Sequence, residues 1–297
     1  MTDFHIVNGR SADDNVLIKA IKKDIKDINI LLITGDLKQY GNDYSETKKV
    51  LEELEENFGL SPKDIFMVPG NHDNNDYEDK SEIFKEIRDN IYKDKECYKT
   101  KLSKLYQGFS EYEKFLNEFY GRDYIKHGGI HNEVLLWKDK LNIICMNTAL
   151  LCDEDTDAQK IVDINELSYL NTDNKLPTIC ISHHKLSQLF EDHKNIVESI
   201  FEQLGVGVVF SGDIHKSSVE LYKLHNRVIP NYICGKFLGN SKDQWSSREI
   251  AVYEVDVSRR RMIPYLYQFQ DGSLIPSYNF KKRTENIDEW ENDTVSL

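Results

Sequence analysis

Five short polar blocks hold the side chains that could do chemistry: Asp3-Phe4-His5, Thr34-Gly35-Asp36, Gly70-Asn71-His72-Asp73, Ser182-His183-His184 and Gly212-Asp213-Ile214-His215. The last four each close an apolar run. Divalent Mn, Fe, Zn and Mg accept carboxylate, amide-carbonyl and imidazole donors in different proportions. Asp3, His5, Asp36, Asn71, His183, Asp213 and His215 supply that mixture. Residues two apart, as in Asp3/His5 and Asp213/His215, can point to one side of an extended segment. One carboxylate, Asp36, could bridge two ions. Two ions about 3.5–4 Å apart form a clamp for displacement at phosphorus, polarising phosphoryl oxygens and acidifying bound water. His72 follows a proposed ligand, so it could face the leaving group as general acid, with Asp73 orienting its imidazole. Taken singly, Asp36 reads as a turn residue and His72 as an ordinary surface histidine. Their joint order is what argues for a site.

Strands and helices must bring the blocks together. Apolar spacing predicts a helix over 12–28, a buried strand over 28–33, a helix over 44–57 and a strand over 65–68. Strand, helix, strand in that order implies parallel pairing through right-handed crossovers. Ligand sites on such sheets lie beyond the carboxyl ends of the strands, where Asp36, Asn71, His183 and Asp213 fall. Residues 74–125 are rich in Lys, Glu and Tyr and read as a helical insertion or cap, with helices over 82–91 and 111–120. Strands follow at 133–137, 141–147, 178–182 and 206–210, with short helices over 163–170 and 192–204. The remainder alternates apolar and polar residues to about 270, as antiparallel strands closing a second sheet would. A domain over 1–279 and a loose polar tail over 280–297 are expected.

Composition narrows the partners. The 297 residues carry a formal net charge of −13, which disfavours a nucleic-acid duplex as partner. There is no apolar stretch of membrane-spanning length and no signal-peptide pattern. The five cysteines include no CxxC pair, which suits a reducing, cytoplasmic setting.

The ordered set Asp-x-His, Gly-Asp, Gly-Asn-His-Asp, His and Gly-x-x-His resembles the calcineurin-like metallophosphoesterase superfamily over roughly residues 3–216. The resemblance implies a two-sheet α/β/β/α sandwich and two divalent metal ions, with Mn, Fe or Mg favoured and Zn possible. It implies a hydrolase cleaving a phosphomonoester or phosphodiester, with a cyclic nucleotide as one substrate class and a metal-bound hydroxide as nucleophile. Asp3, His5 and His215 would serve the first metal; Asn71, His183 and Asp213 the second; Asp36 both. His72 would be the catalytic histidine and Asp73 its partner. His184 and Arg10 are candidates for contacting substrate. Two departures stand out. Asp213 replaces an imidazole, which should shift the second site away from Zn. The strand that relatives carry before Asp-x-His is missing or truncated, with Met1 and Thr2 in its place. On that reading Asp3 and His5 lie on a frayed terminus and the first metal is poorly held. A nuclease of the DNA-repair branch and a non-catalytic metal-binding interaction module are the alternatives.

Overall fold

A computed structural model describes residues 1–6, 12–25, 27–39, 43–75, 83, 85–87, 95–121, 130–151, 160–238, 248–277 and 295–296. Strand β1 (Leu31–Ile33) pairs in parallel with β2 (Ile65–Met67), Leu31 opposite Ile65. Helix α2 (Ser45–Phe58) makes the crossover and buries Thr47, Val50, Leu51 and Leu54, one helical face at 3.6-residue spacing. It stops at Gly59, whose φ of 64° supplies the left-handed cap. Helix α1 (Ala12–Asp24) precedes β1.

A six-stranded sheet follows in the order β3-β4-β5-β6-β8-β7. Its strands are β3 (Glu133–Trp137), β4 (Leu141–Met146), β5 (Thr178–Ser182), β6 (Val206–Ser211), β7 (Ser218–Lys223) and β8 (Val228–Ile233). The central strands β4, β5, β6 and β8 run parallel, while β3 and β7 flank them antiparallel. Parallel strands covered on both faces need continuous apolar runs. Accordingly Ile143, Ile181 and Val208 face one cluster while Ile144, Cys180 and Val209 face another. That second cluster is closed by helices α5 (Ile164–Ser168) and α6 (Glu191–Gln203), through Leu167, Val197 and Phe201.

A smaller sheet combines β9 (Glu249–Asp256), β10 (Arg261–Gln270), β11 (Ser273–Ser277) and β12 (Val295–Ser296). Met262 and Tyr253 of this sheet pack toward the six-stranded sheet. Ile250, Leu274 and Phe269 pack with α1 instead. The layers are therefore helix, sheet, sheet, helix, the expected sandwich. Among the described residues β1 pairs with β2 alone and β9 with β10 alone. An apolar space of about 210 Å³ lies between them, lined by Met1, Ile28, Leu32, Phe210 and Tyr253.

Several expectations need correction. The strands after residue 216 do not all close the second sheet. Strands β7 and β8 form a hairpin on the edge of the larger sheet, β8 parallel to β6. Alternation shows that a segment is a strand but not which neighbour it joins. Helix α1 ends at Asp24 and β1 starts at Leu31, leaving no continuous structure over 25–30. Helix α3 (Lys95–Gln107) was not anticipated, although Tyr98, Leu102 and Leu105 are buried at helical spacing. Helix α4 (Ser110–Tyr120) matches its expected stripe of Tyr112, Phe115, Leu116 and Phe119. Of the helix expected over 82–91, only Ile83 and residues 85–87 are described, and they are helical. Of the expected tail, Val295 and Ser296 pair with β10, and the rest lies outside the described residues.

Candidate metal centre

Sharp backbone turns deliver the donors. Asp3, His5, Asp36, Asp213 and His215 have φ of 53°, 42°, 55°, 69° and 55°. Left-handed backbone is unfavourable for residues with a side chain, though Asp and His tolerate it better than most. Its concentration here marks a site that the surrounding fold holds in place. Phe4 packs on Phe237 with centroids 4.8 Å apart, so Asp3 and His5 turn to the opposite side. Their backbone N–H groups donate to Gly35 O at 3.1 Å and Asp36 O at 2.9 Å. Both side chains are buried. The frayed terminus expected from the sequence is thus not found. Close packing fixes Gly70 as well, because a Cβ there would collide with the Asp36 carboxylate.

The donors fall into two groups sharing Asp36. In the first, His5 Nε2 lies 3.7 Å from Asp3 Oδ1, 3.4 Å from Asp36 Oδ2 and 2.9 Å from His215 Nε2. His215 Nε2 is also 3.4 Å from Asp3 Oδ1. In the second, His183 Nε2 lies 2.9 Å from Asn71 Oδ1, 3.5 Å from Asp36 Oδ1 and 3.7 Å from Asp213 Oδ1. Metal–donor bonds of about 2.0–2.2 Å put neighbouring donors roughly 3–3.5 Å apart, so both groups have the size of a coordination shell. The two oxygens of Asp36 split between them. Asp3 Oδ1 is buried and makes no hydrogen bond to any described residue, as befits an oxygen reserved for a cation. The residues present therefore fit a dinuclear site.

Outer partners orient these donors. His183 Nδ1 donates to Thr34 O at 2.7 Å, which leaves Nε2 free for a metal. Gln39 Oε1 stands 3.1 Å from His5 Nδ1. Gln188 Nε2 donates to Asp213 Oδ2 at 2.6 Å. Sequence reasoning missed Gln39 and Gln188, each a few residues beyond a block. It also missed Lys236, which is 8 % exposed. Phe237 N donates to Thr2 O, which brings the segment holding Lys236 alongside the start of the chain, close enough for its charge to act on His5. Burial and, to a smaller degree, Lys236 act to lower the pKa of His5, but Asp3 and Asp36 prevail and raise it.

Burial sets the electrostatics. Asp36 is pushed up to about 6 by desolvation, against the pull of His183 and His5. Desolvation would lower His183, but the carboxylates of Asp36, Asp3 and Asp213 prevail and raise it to about 9. Asp3 is held well below the usual carboxylate range: burial opposes this, and His215 and His5 overcome it. His72 is lowered to about 3, by burial first and then by His5 and His183. Its Nε2 lies 3.9 Å from Asp36 Oδ2, and its side chain is 17 % exposed, so it stands at the rim of the centre as a neutral imidazole.

Two expected roles change. Asp73 does not orient His72. Its Oδ2 accepts from Gly70 N at 2.9 Å and Leu37 N at 3.2 Å, and its Oδ1 from Tyr44 Oη at 3.0 Å. The carboxylate clamps the two ligand-bearing loops together. His184, expected at the substrate, is 1 % exposed and groups with His183 and Asp213 instead. Arg10 lies outside the described residues.

Residues 1–217 match the calcineurin-like phosphoesterase family, and the chain belongs to it. The metallophosphoesterase-like protein YydB of Bacillus subtilis (strain 168) is 24% identical over 217 residues, covering 69% of this chain and 44% of that protein. The chain thus spans less than half the length of that relative. Among solved structures, Vps29 of Entamoeba histolytica complexed with Zn2+ aligns with a TM-score of 0.41 at 14% identity, covering 93% of this chain and 94% of that one. GAP50, the anchor in the inner membrane complex of Plasmodium, aligns with a TM-score of 0.42 at 12% identity, covering 94% and 86%. A predicted phosphoesterase of Streptococcus pneumoniae TIGR4 aligns with a TM-score of 0.36 at 11% identity, covering 93% and 94%.

Proposed function

We propose that this chain is a metal-dependent phosphohydrolase acting on a small phosphomonoester or phosphodiester, a cyclic nucleotide being one class that suits it. The observation that carries this reading is the division of the Asp36 carboxylate, Oδ2 toward His5 and Oδ1 toward His183. Asp3, His5, Asp36 and His215 would hold one ion. Asp36, Asn71, His183 and Asp213 would hold the other. When bound, the ions would supply Lewis acidity to phosphoryl oxygens and acidify a water. His72, neutral and at the rim, would donate a hydrogen bond to the leaving oxygen as it gains charge. Asp73 would hold the His72 loop against the Asp36 loop. The acidic surface supports a small substrate over nucleic acid. Free Cys97, Cys145, Cys180 and Cys234 suit a reducing, cytoplasmic setting. No helix among the described residues is long and apolar enough to cross a membrane.

The test is hydrolysis of bis-p-nitrophenyl phosphate and p-nitrophenyl phosphate with added Mn, beside His72→Ala. Metal-dependent turnover that falls at least about 100-fold in the variant is expected. Binding of metal with no turnover on either ester would leave a metal-binding interaction module.

A further inference from the structure

One buried donor at this centre has no role in the family pattern. His184 follows the ligand His183, and its ring stands edge-on to that of His183 with centroids 4.7 Å apart. The residue is 1 % exposed. Its Nε2 makes no hydrogen bond to any described residue and lies 3.9 Å from Asp213 Oδ1. His183, His184 and Asp213 each offer a donor atom, all within 4.8 Å of one another. Asp213 is also where the expected imidazole ligand is missing.

We propose that His184 Nε2 is itself a ligand of the second metal, restoring the imidazole lost at position 213. This rests on the two-metal reading above. The other end of the ring supports it. His184 Nδ1 lies 3.1 Å from Thr148 Oγ1, and the His184 backbone N–H donates to the same oxygen at 2.9 Å. With Nδ1–H donating to Thr148, the lone pair of Nε2 faces the centre, the tautomer a ligating histidine requires. Ser182 Oγ donates to His184 O at 3.0 Å and fixes the backbone. Buried His193 also has a bonded Nδ1 and a bare Nε2; what sets His184 apart is the Asp213 carboxylate 3.9 Å from its Nε2 and the ligand His183 beside it. Gln188 holds Asp213 Oδ2, which leaves Oδ1 as the oxygen that would serve the second metal beside His184 Nε2. A consequence is that this position keeps two imidazoles, His183 and His184, beside its oxygen donors. It then retains affinity for Zn, against the drift toward hard metals expected from Asp213 alone.

The test counts metals and imidazoles rather than turnover. Purified chain is stripped with chelator and titrated with Mn2+ and separately with Zn2+ by calorimetry. The wild type is expected to take two ions. His184→Ala is expected to weaken the second by at least tenfold while the first is unchanged. Thr148→Val should weaken it by less, since Thr148 only positions the ring. Should His184→Ala fail to fold, long-range 1H–15N spectra of the Zn-loaded wild type decide the matter. Four coordinated imidazoles, His5, His183, His184 and His215, support the proposal and three overturn it. Two ions bound with unchanged affinity in a folded His184→Ala overturn this proposal alone. A wild type that binds fewer than two ions overturns the two-metal reading with it.

Discussion

Replacing Asp73 tests whether it clamps loops or serves His72. The residue is fully buried. Its carboxylate accepts three hydrogen bonds, two from the backbone N–H groups of Leu37 and Gly70, which adjoin Asp36 and Asn71. In Asp73→Ala those N–H groups and the Tyr44 hydroxyl lose their acceptor. Each buried orphan costs about 1–3 kcal/mol. Relief of the desolvation that raises the Asp73 pKa offsets part of this. The expected net loss is about 3–5 kcal/mol, a large share of a stability of about 5–15 kcal/mol. Tyr44→Phe removes one bond and should cost about 1–2 kcal/mol. Urea unfolding with chelator present reads both variants without interference from metal. If Asp73→Ala unfolds within about 1 kcal/mol of wild type while turnover collapses, the clamp is wrong and Asp73 works through His72 after all.

Other consequences can be measured on the same material. Gly70→Ala drives a methyl group into the Asp36 carboxylate, so thermal melts should show about 1–3 kcal/mol of destabilisation and metal titrations a loss of affinity. Unchanged values in both would contradict the packing. In the metal-free chain, ionising Asp36 penalises the folded state as pH rises from 3.8 to about 6. The contribution of His183 is full below 6.5 and is lost as pH rises to about 9. Each contribution falls by on the order of 3 kcal/mol across its window. Between pH 3.8 and 6 the depressed histidines His72, His184 and His193 pull the other way, so the net fall is expected from pH 6.5 to 9, and saturating Mn should flatten it. A metal-free melting temperature that climbs between pH 6.5 and 9 would refute this. Lys236→Gln removes a buried ammonium beside the first donor group and should raise KM for p-nitrophenyl phosphate roughly tenfold, with kcat less affected. Rescue by Lys236→Arg is expected, and an unaltered KM would place the charge outside the substrate's reach.

Much of this arrangement was legible because two independent periodicities met. Apolar runs mark strands, and four of the five polar blocks lie just past the end of one, so β1, β2, β5 and β6 place Asp36, Asn71, His183 and Asp213 in one region. The partners of those residues were harder to read. Asp73 sits beside His72 in the chain, yet its carboxylate is committed to Tyr44, 29 residues earlier. Nothing local reveals that commitment. His184 read as a substrate contact because the missing hydrogen bond at its buried Nε2 is a property of the packed fold. The hairpin of β7 and β8 misled for a similar reason: alternation fixes faces, while the neighbour depends on chain paths over long separations. Asp3 and His5 seemed unsupported until the bonds to Gly35 and Asp36 showed that the adjacent loop holds them.

Tyr44 also carries a mechanical meaning. Its ring stacks on Phe115 of α4 with centroids 4.6 Å apart, while its hydroxyl holds Asp73. A short relay thus joins the helical segment to the loop bearing Asn71 and His72. That segment therefore cannot be traded freely between relatives like a detachable cap. Grafting a foreign helix pair onto the sandwich would keep both sheets, yet it would slacken the loop that carries Asn71 and His72. Any redesign of substrate range at the helices has to carry an aromatic seat for Tyr44 along with it.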